Sequence, residues 1–290
     1  MNNQTPKPVI LSVLAHPDDE TFGMGGTLAY YAKKGVDVYL ICATRGEVGG
    51  MDPELMKGHT SIGEVREEEL RCASEVLGLR GVYFLDYRDS GMPGSVDNTH
   101  PQALAAAPIE EVAKKVAQFI RKLKPQVVLT FDPIGGYRHP DHIAIQLATV
   151  KAFKLASDPA FIDSEGLLPY HPQRLYFHTI PRAFIKSAVF LLRLSGKDPR
   201  KFGSNRDIDL VSIASENFPV HASINYQPVR DIRDRAAACH VSQGGAKVAT
   251  GAQGWLRKLF QVNELFMQAY PDPRKNTHLH DLFEGVELQT

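Results

Sequence analysis

Apolar runs alternate with helical patterns along the first two thirds of the chain. Short and nearly continuous apolar segments predict strands at residues 9–15, 36–44, 82–87, 126–133 and 174–180. Between them, apolar residues at helical spacing predict helices at 26–35, 64–78, 109–125 and 141–156. Continuous apolar strands are typical of burial on both faces, and strand–helix alternation is typical of a parallel sheet. We therefore predict an α/β, Rossmann-like fold whose mostly parallel sheet carries helices on both faces.

The last third of the chain has weaker patterns. Residues 208–214, 219–243 and 254–271 indicate short strands and two further helices. No break in composition marks a second domain, so we expect a single domain over residues 1–290. Its core would span about 8–182, and a smaller irregular part at 183–290 would pack on the sheet and wall one side of a cleft.

Charge and hydropathy exclude several classes of function. The 33 basic and 33 acidic residues balance, so the chain lacks the basic excess of a nucleic-acid-binding protein. No apolar run reaches the length of a membrane span, and MNNQTPKPVI lacks the order of a signal peptide. We expect a cytoplasmic protein with no nucleic-acid partner and no membrane insertion, and we leave homo-oligomer formation open.

The three cysteines are Cys42, Cys72 and Cys239. They are far apart in the sequence and odd in number, which does not resemble a disulfide framework. We therefore expect buried or half-buried thiols of a reducing compartment.

Charge is concentrated where the first predicted strand ends. Residues 9–26 read VILSVLAHPDDETFGMGG, which places His16, Asp18, Asp19 and Glu20 directly after the apolar run. The loop after the fourth strand, DPIGGYRHPDHIA, supplies His139, Asp141 and His142. Open α/β sheets bind ligands beyond the carboxyl ends of their strands, near the point where strand order reverses. The first and fourth strands are neighbours there in the common order, so we expect the two clusters to face each other.

Two histidines and a carboxylate from these clusters suit a metal ion. Catalytic zinc sites commonly take three protein ligands and leave a fourth position for water, and His16, Asp19 and His142 would provide such a set. A cation would also offset the repulsion between Asp18 and Asp19. We predict one divalent ion per chain, with zinc favoured by the nitrogen and oxygen ligands and Fe²⁺ or Co²⁺ as substitutes.

Simpler explanations exist for each residue taken alone. A single histidine at a strand end is usually structural, Asp141 at a helix start is often a cap, and HPDD suits a turn. They do not explain two such clusters after two adjacent strands. The GMGG at 23–26 does not indicate a dinucleotide site, because its spacing is wrong and acidic residues occupy the turn where phosphates would lie.

The paired motifs resemble a known family. AHPDDE after the first strand and HPDH after the fourth are similar to those of the LmbE-like or PIG-L family of zinc-dependent de-N-acetylases. Further agreement lies in ATRGEVGG after the second strand, in RDSGM at 88–92 and in CHVSQ at 239–243. RDSGM and GGYRHPDH look especially similar to the deacetylases of N-acetylglucosaminyl-inositol in mycothiol synthesis and to the related amidase of mycothiol conjugates.

The resemblance implies a role for individual residues. The implied metal ligands are His16, Asp19 and His142. The implied catalytic residues are Asp18 as general base, His139 as acid or stabiliser of the tetrahedral intermediate, Asp141 as the carboxylate that tunes His139, and Tyr137 as a contact of the oxyanion. The implied substrate contacts are Arg66, where the alignment is loose, and Asp89.

These roles imply hydrolysis of an N-acetyl group on a small aminosugar by a metal-activated water. Three alternatives stay open: an amidase acting on a larger thiol or sugar conjugate, a non-catalytic sugar-binding protein, and a phosphoesterase, which would favour two metals and more carboxylates. The sequence does not choose between His139 and protonated Asp18 as the group that protonates the leaving amine.

Overall fold

The computed structural model describes residues 7–203, 206, 208–245 and 263–288. Within them, seven strands form one sheet in the order β3-β2-β1-β4-β5-β7-β6. The strands are β1 Val9–Leu14, β2 Asp37–Cys42, β3 Gly81–Phe84, β4 Val127–Phe131, β5 Arg174–Thr179, β6 Ala222–Asn225 and β7 Asn263–Tyr270. The first five are parallel, and β7 runs antiparallel to β5 and β6. The predicted mostly parallel sheet and the pairing of β1 with β4 are confirmed.

The helices cover both faces of this sheet. They are α1 Asp19–Lys33, α2 Ile62–Leu77, α3 Ile109–Leu123, α4 Gly135–Arg138, α5 Pro140–Leu155, α6 Arg182–Leu194, α7 Leu210–Ser215 and α8 Arg230–Cys239. Helices α1 and α2 pack against α8, whereas α3 packs against α5. The chain moves from β1 to β2 and β3 on one side of β1, and then to β4 and β5 on the other side. Because crossovers between parallel strands are right-handed, the helices of the first set and those of the second set lie on opposite faces of the sheet.

Helix α1 begins seven residues before its predicted start. Asp18 is its N-cap residue, and Asp19 and Glu20 lie in its first turn, where carboxylates interact favourably with the helix dipole. The helix is kinked at Met24, which has φ −135°. Apolar spacing missed these first turns because they are polar and rich in glycine. The acidic cluster therefore opens a helix instead of forming a loop.

The C-terminal part is joined to the sheet by its strands. β7 pairs with β5, and its Phe266 is fully buried in the same cluster as Ile10 and Leu129. The Glu264 carboxylate accepts hydrogen bonds from the main-chain N–H groups at the middle of α1. Helix α6 was not predicted, and the elements predicted at 254–262 lie outside the described residues.

The prediction of three free thiols was wrong. Cys72 of α2 and Cys239 at the end of α8 form a disulfide, and Cys42 is a buried free thiol. The two bonded cysteines are 167 positions apart and meet because α2 packs against α8. Cysteine spacing alone does not reveal that contact.

Among the helices that the structure describes, none is both long and apolar enough to cross a bilayer.

Candidate active site

The three predicted metal ligands meet beyond the carboxyl ends of β1 and β4. The Nδ1 atom of His16 lies 3.1 Å from the Nε2 atom of His142. Asp19 places one oxygen 3.5 Å from His16 Nδ1 and the other 3.3 Å from His142 Nε2. Ligand atoms around a tetrahedral ion with bonds of about 2.0–2.1 Å are about 3.3–3.4 Å apart. A different Asp19 oxygen faces each nitrogen, so the trio offers one small divalent ion two nitrogens and both oxygens of the carboxylate.

Hydrogen bonds on the outer ring nitrogens orient both histidines. His142 Nδ1 lies 3.2 Å from the Gly135 carbonyl oxygen, and His16 Nε2 lies 3.1 Å from Asp141 Oδ2. These oxygens accept, so the outer nitrogens donate their N–H and the inner nitrogens keep their lone pairs. Two lone pairs and a carboxylate then converge, an arrangement that a cation stabilises. The donor set fits a divalent metal ion.

The surrounding charges also favour a positive charge at this point. Burial lowers the pKa of His16, but the carboxylates of Asp141, Asp19 and Asp89 together raise it by more than burial lowers it. The pKa of His16 is therefore well above its usual value. Burial raises the pKa of Asp19, yet His142 and His16 hold it well below its usual range. A bound cation would supply the charge that these groups favour.

A second group close enough to hold an ion is His16 with Asp89 and Asp141. Its carboxylates already accept hydrogen bonds: Asp89 from the Gly91 N–H at 2.8 Å, and Asp141 from the Ser90 N–H at 2.9 Å and from the Ser90 hydroxyl. His16 presents its N–H to this pair. We therefore assign Asp89 and Asp141 to orienting His16, and the metal to the opposite side of the ring.

His139 belongs to a third close group, with His16 and His142. Its Nδ1 accepts the Asp141 main-chain N–H at 3.2 Å, so the neutral ring carries its proton on Nε2. Burial, followed by the nearby His16 and His142, lowers the pKa of His139 to about 2. A neutral N–H is a hydrogen-bond donor and not a ligand. The carboxylate of Asp141, implied as the group that tunes His139, contacts His16 instead.

Asp18 lies beside the three ligands in a strained conformation. Its φ of 111° is rare for a residue with a side chain, and its main-chain N–H donates to Glu20 Oε2 at 2.9 Å. Its Oδ2 accepts from Arg66 Nη2 at 3.3 Å. Burial raises the pKa of Asp18 to about 6, although Arg66 lowers it. The structure thus places a carboxylate of raised pKa next to the ligand set.

Arg66 is fixed by the main chain around Asp18. It donates to the Pro17 carbonyl at 2.6 Å and to the Gly46 carbonyl at 3.0 Å, and it is 4% exposed. Gly46 has φ +68°, and a Cβ there would lie 2.0 Å from Arg66 Nη1. ATRGEVGG therefore supplies a glycine where the guanidinium passes. The resemblance implied a substrate contact, whereas this geometry makes Arg66 a support for Asp18.

The short helix α4 between β4 and α5 positions Tyr137 beside the cluster. Gly135 has φ +64°, and a Cβ there would lie 2.7 Å from His142 Cβ, so only glycine fits against α5. The Tyr137 ring lies 4.9 Å from the His142 ring, and burial raises the pKa of its phenol well above the usual value. The phenol is therefore a protonated donor near the ligands.

A pocket of about 320 Å³ opens beside these residues. Asp18, Asp19, Tyr137 and His142 are among its lining residues. Asp89, predicted a few ångströms outside the metal shell as a substrate contact, is 3% exposed and lies 3.6 Å from His16 Nε2.

Two contributions went unrecognised in the sequence. Ser90 of RDSGM donates its main-chain N–H and its hydroxyl to Asp141. His240 of CHVSQ lies 2.7 Å from Glu20 Oε1 and joins α8 to the first turn of α1. The signal was present, because both motifs belong to the resemblance, but only folding shows what each side chain contacts.

The chain matches a family model and several named relatives. The family model described as PIG-L, GlcNAc-PI de-N-acetylase, matches residues 11–153. The 1D-myo-inositol 2-acetamido-2-deoxy-alpha-D-glucopyranoside deacetylase of Streptomyces avermitilis is 34% identical over 295 residues, which covers 97% of this chain and 98% of that protein. The protein of the same name from Thermomonospora curvata is 40% identical over 193 residues. That alignment covers 63% of this chain and 64% of the relative, just under two thirds of its length.

A solved structure shares the fold. The N,N'-diacetylchitobiose deacetylase of Pyrococcus horikoshii, solved with an inhibitor, superposes with a TM-score of 0.61 and covers 92% of this chain and 87% of its own. At 21% sequence identity it supports the architecture alone.

Proposed function

Because the chain belongs to the PIG-L family of GlcNAc-PI de-N-acetylases, we propose that it is a zinc-dependent hydrolase of N-acetylglucosamine-containing small molecules. The reaction would be R–NH–CO–CH₃ + H₂O → R–NH₃⁺ + CH₃COO⁻. The observation that carries the proposal is the convergence of His16 Nδ1, Asp19 and His142 Nε2 within 3.1–3.5 Å, beside Asp18 at a pocket wall. The names of the relatives support the substrate class.

His16, Asp19 and His142 would hold the metal. Zinc bound there would polarise the amide carbonyl and make water acidic enough to ionise near neutral pH, and Fe²⁺ or Co²⁺ would fit the same donors. Asp141 and the Gly135 carbonyl would keep both imidazoles turned toward the ion.

Asp18 would act as the general base. Its carboxylate lies in the pocket wall beside Asp19 and is held there by Arg66. It would take a proton from the attacking water and pass it to the departing nitrogen, because an amide anion is too poor a leaving group. A single carboxylate can serve both steps when its position is fixed, and the three main-chain and side-chain contacts of Arg66 fix it.

His139 and Tyr137 would stabilise the oxyanion as hydrogen-bond donors. His139 is neutral with its proton on Nε2, and the Tyr137 phenol stays protonated. Donors of fixed orientation near the developing negative charge are typical of amide hydrolases. We accordingly assign proton delivery to Asp18 and not to His139.

The proposal is tested by a substrate panel on the zinc-loaded protein. We expect acetate release from methyl N-acetylglucosaminide and from an N-acetylglucosaminyl-inositol, with no hydrolysis of a phosphate monoester. A larger amide conjugate cleaved faster than both sugars would favour the amidase alternative. Binding without any turnover would favour the sugar-binding alternative. His142→Ala is the control for background activity.

A further inference from the structure

The pocket lining combines acidic and histidine side chains with an apolar wall. This wall is made of apolar side chains, namely Phe22, Phe131, Ile180, Pro181, Phe184 and Leu265, and Phe131 stacks on His142 at 3.9 Å between ring centroids. Its volume of about 320 Å³ lies at the low end of small-molecule sites, which span about 300–1,000 Å³. One sugar with a short substituent suits this space.

Three polar side chains near the apolar wall are hydrogen-bonded or uncharged. Glu264 places both carboxylate oxygens on the main-chain N–H groups of Gly26 and Thr27, at 2.9 and 2.7 Å. The Thr179 hydroxyl donates to the Leu265 carbonyl at 3.3 Å. Burial lowers the pKa of His178 to about 4, so its ring is uncharged near neutral pH.

One buried side-chain oxygen of the described pocket lining has no hydrogen-bond partner. Among the described residues that line the pocket, the Asn263 Oδ1 atom is buried and accepts no hydrogen bond. It could receive a single N–H or O–H from a ligand. Within the part of the chain that the structure describes, no lysine or arginine lines the pocket.

This wall does not suit a polyol. A hydroxyl placed against Phe22, Ile180 or Phe184 would lose hydrogen bonds to water that these side chains do not replace, which is unfavourable. An alkyl or aryl group would lose no hydrogen bonds and would remove apolar surface from water.

We propose that the pocket selects substrates that carry an apolar group beside the scissile amide, held against Phe22, Ile180 and Phe184. This inference rests on the proposed function and narrows its substrate class. The apolar group could belong to the acyl part or to the group glycosidically linked to the sugar. The chemistry of the wall is the same for both.

Two substrate series distinguish these sources. One lengthens the acyl chain of N-acylglucosamine from acetyl to butyryl and hexanoyl, and the other lengthens the alkyl group of an N-acetylglucosaminide from methyl to butyl and hexyl. With zinc-loaded wild-type protein, we expect kcat/KM to rise about three- to fourfold for each buried methylene in one series. Flat values in both series would overturn the inference, while acetate release would still support the proposed function.

Substitution of the wall provides the matched test. Phe184 lines the pocket and is 51% exposed, whereas Phe190 on the same helix is 62% exposed and is not a lining residue. Phe184→Gln should lower kcat/KM about tenfold more for the longest effective substrate than for methyl N-acetylglucosaminide. Phe190→Gln should change neither value. Equal losses for both substrates, or for both variants, would contradict the assignment.

Product binding keeps the two proposals separable. Calorimetry would compare butyl with methyl glucosaminide, and hexanoate with acetate, on the zinc-loaded protein. Tighter binding of the apolar member of one pair, lost in Phe184→Gln, supports the pocket assignment even if no substrate of the panel is hydrolysed. Absence of hydrolysis for every substrate of the panel would overturn the proposed function but not the pocket assignment. Equal affinities within both pairs would overturn the pocket assignment.

Discussion

At the scale of single residues, His16 and His142 differ from His139 in what their ring nitrogens contact. His16 and His142 place N–H groups on fixed acceptors and turn their lone pairs inward. His139 uses its Nδ1 lone pair on a main-chain N–H. We therefore predict that the histidine side chain is a ligand in two positions and a hydrogen-bond donor in the third.

Metal analysis of two histidine variants tests this difference. We expect His142→Ala to lose most bound zinc, because it removes one of three ligands. His139→Ala should retain about one zinc per chain and lose activity. Purification under identical conditions makes each variant the control of the other. Zinc retained by His142→Ala and lost by His139→Ala would show that His139 is the metal ligand and His142 is not.

Asp18 should be separable from the metal. Asp18→Asn keeps the size of the side chain and removes the base, so we expect near wild-type zinc content and a kcat lower by about 10²–10⁴-fold. Asn also tolerates the φ of 111° better than most residues. Loss of zinc from this variant, with wild-type zinc in Asp19→Asn, would show that the two carboxylates are misassigned.

At the scale of elements, the first turn of α1 is anchored by α8. His240 is fully buried, pairs with Glu20, and also faces Asp18 and Glu69. Burial lowers its pKa, but these carboxylates raise it by more, so the net shift is upward from 6.5. The folded protein therefore binds this proton more tightly than the unfolded chain does.

This linkage predicts a pH-dependent stability. The contribution of the His240 pair is fully present below the unfolded pKa of 6.5 and is lost as the pH rises through the raised folded value. The free energy of unfolding of the wild-type protein should exceed that of His240→Gln by about 1–3 kcal/mol near pH 6, and this difference should shrink toward about pH 9. Thermal melts of both proteins measure it. A difference independent of pH would contradict protonation of His240 in the fold.

The contact of α2 with α8 also predicts the state of the cysteines. Protein denatured without reductant should show one reactive thiol, from Cys42, and three after reduction. Cys72→Ser should lower the free energy of unfolding by about 2–4 kcal/mol under oxidising conditions only. Three reactive thiols in protein denatured without reductant would contradict the disulfide and agree with the expectation of a reducing compartment. A cytoplasmic location stays a prediction.

Elements with strong local patterns were predictable, and those set by tertiary contact were not. Strands β1 to β5 carry continuous apolar runs, and four helices carry clear apolar spacing. The early start of α1 depends on Asp18 and Glu20, and the Cys72–Cys239 bond depends on helix packing. In the site, residue types and spacing indicated His16, Asp19 and His142 together. The attachment of Asp141 to His16 and of Arg66 to Asp18 required the fold.

At the scale of the whole molecule, the sheet brings two distant motifs to one edge. Parallel pairing of β1 with β4 places HPDD and HPDH at neighbouring carboxyl ends, and β7 adds Asn263 and Leu265 to the pocket lining. The architecture alone does not define the chemistry. The central claim is that this edge holds one catalytic metal ion.

A zinc titration of metal-stripped protein tests that claim most directly. Acetate release from an N-acetylglucosaminide should be negligible after chelation, rise in proportion to added zinc, and level off at one equivalent per chain. A single ion held by His16, Asp19 and His142 requires this stoichiometry. Activity that survives chelation, or that needs two equivalents of zinc, would contradict it.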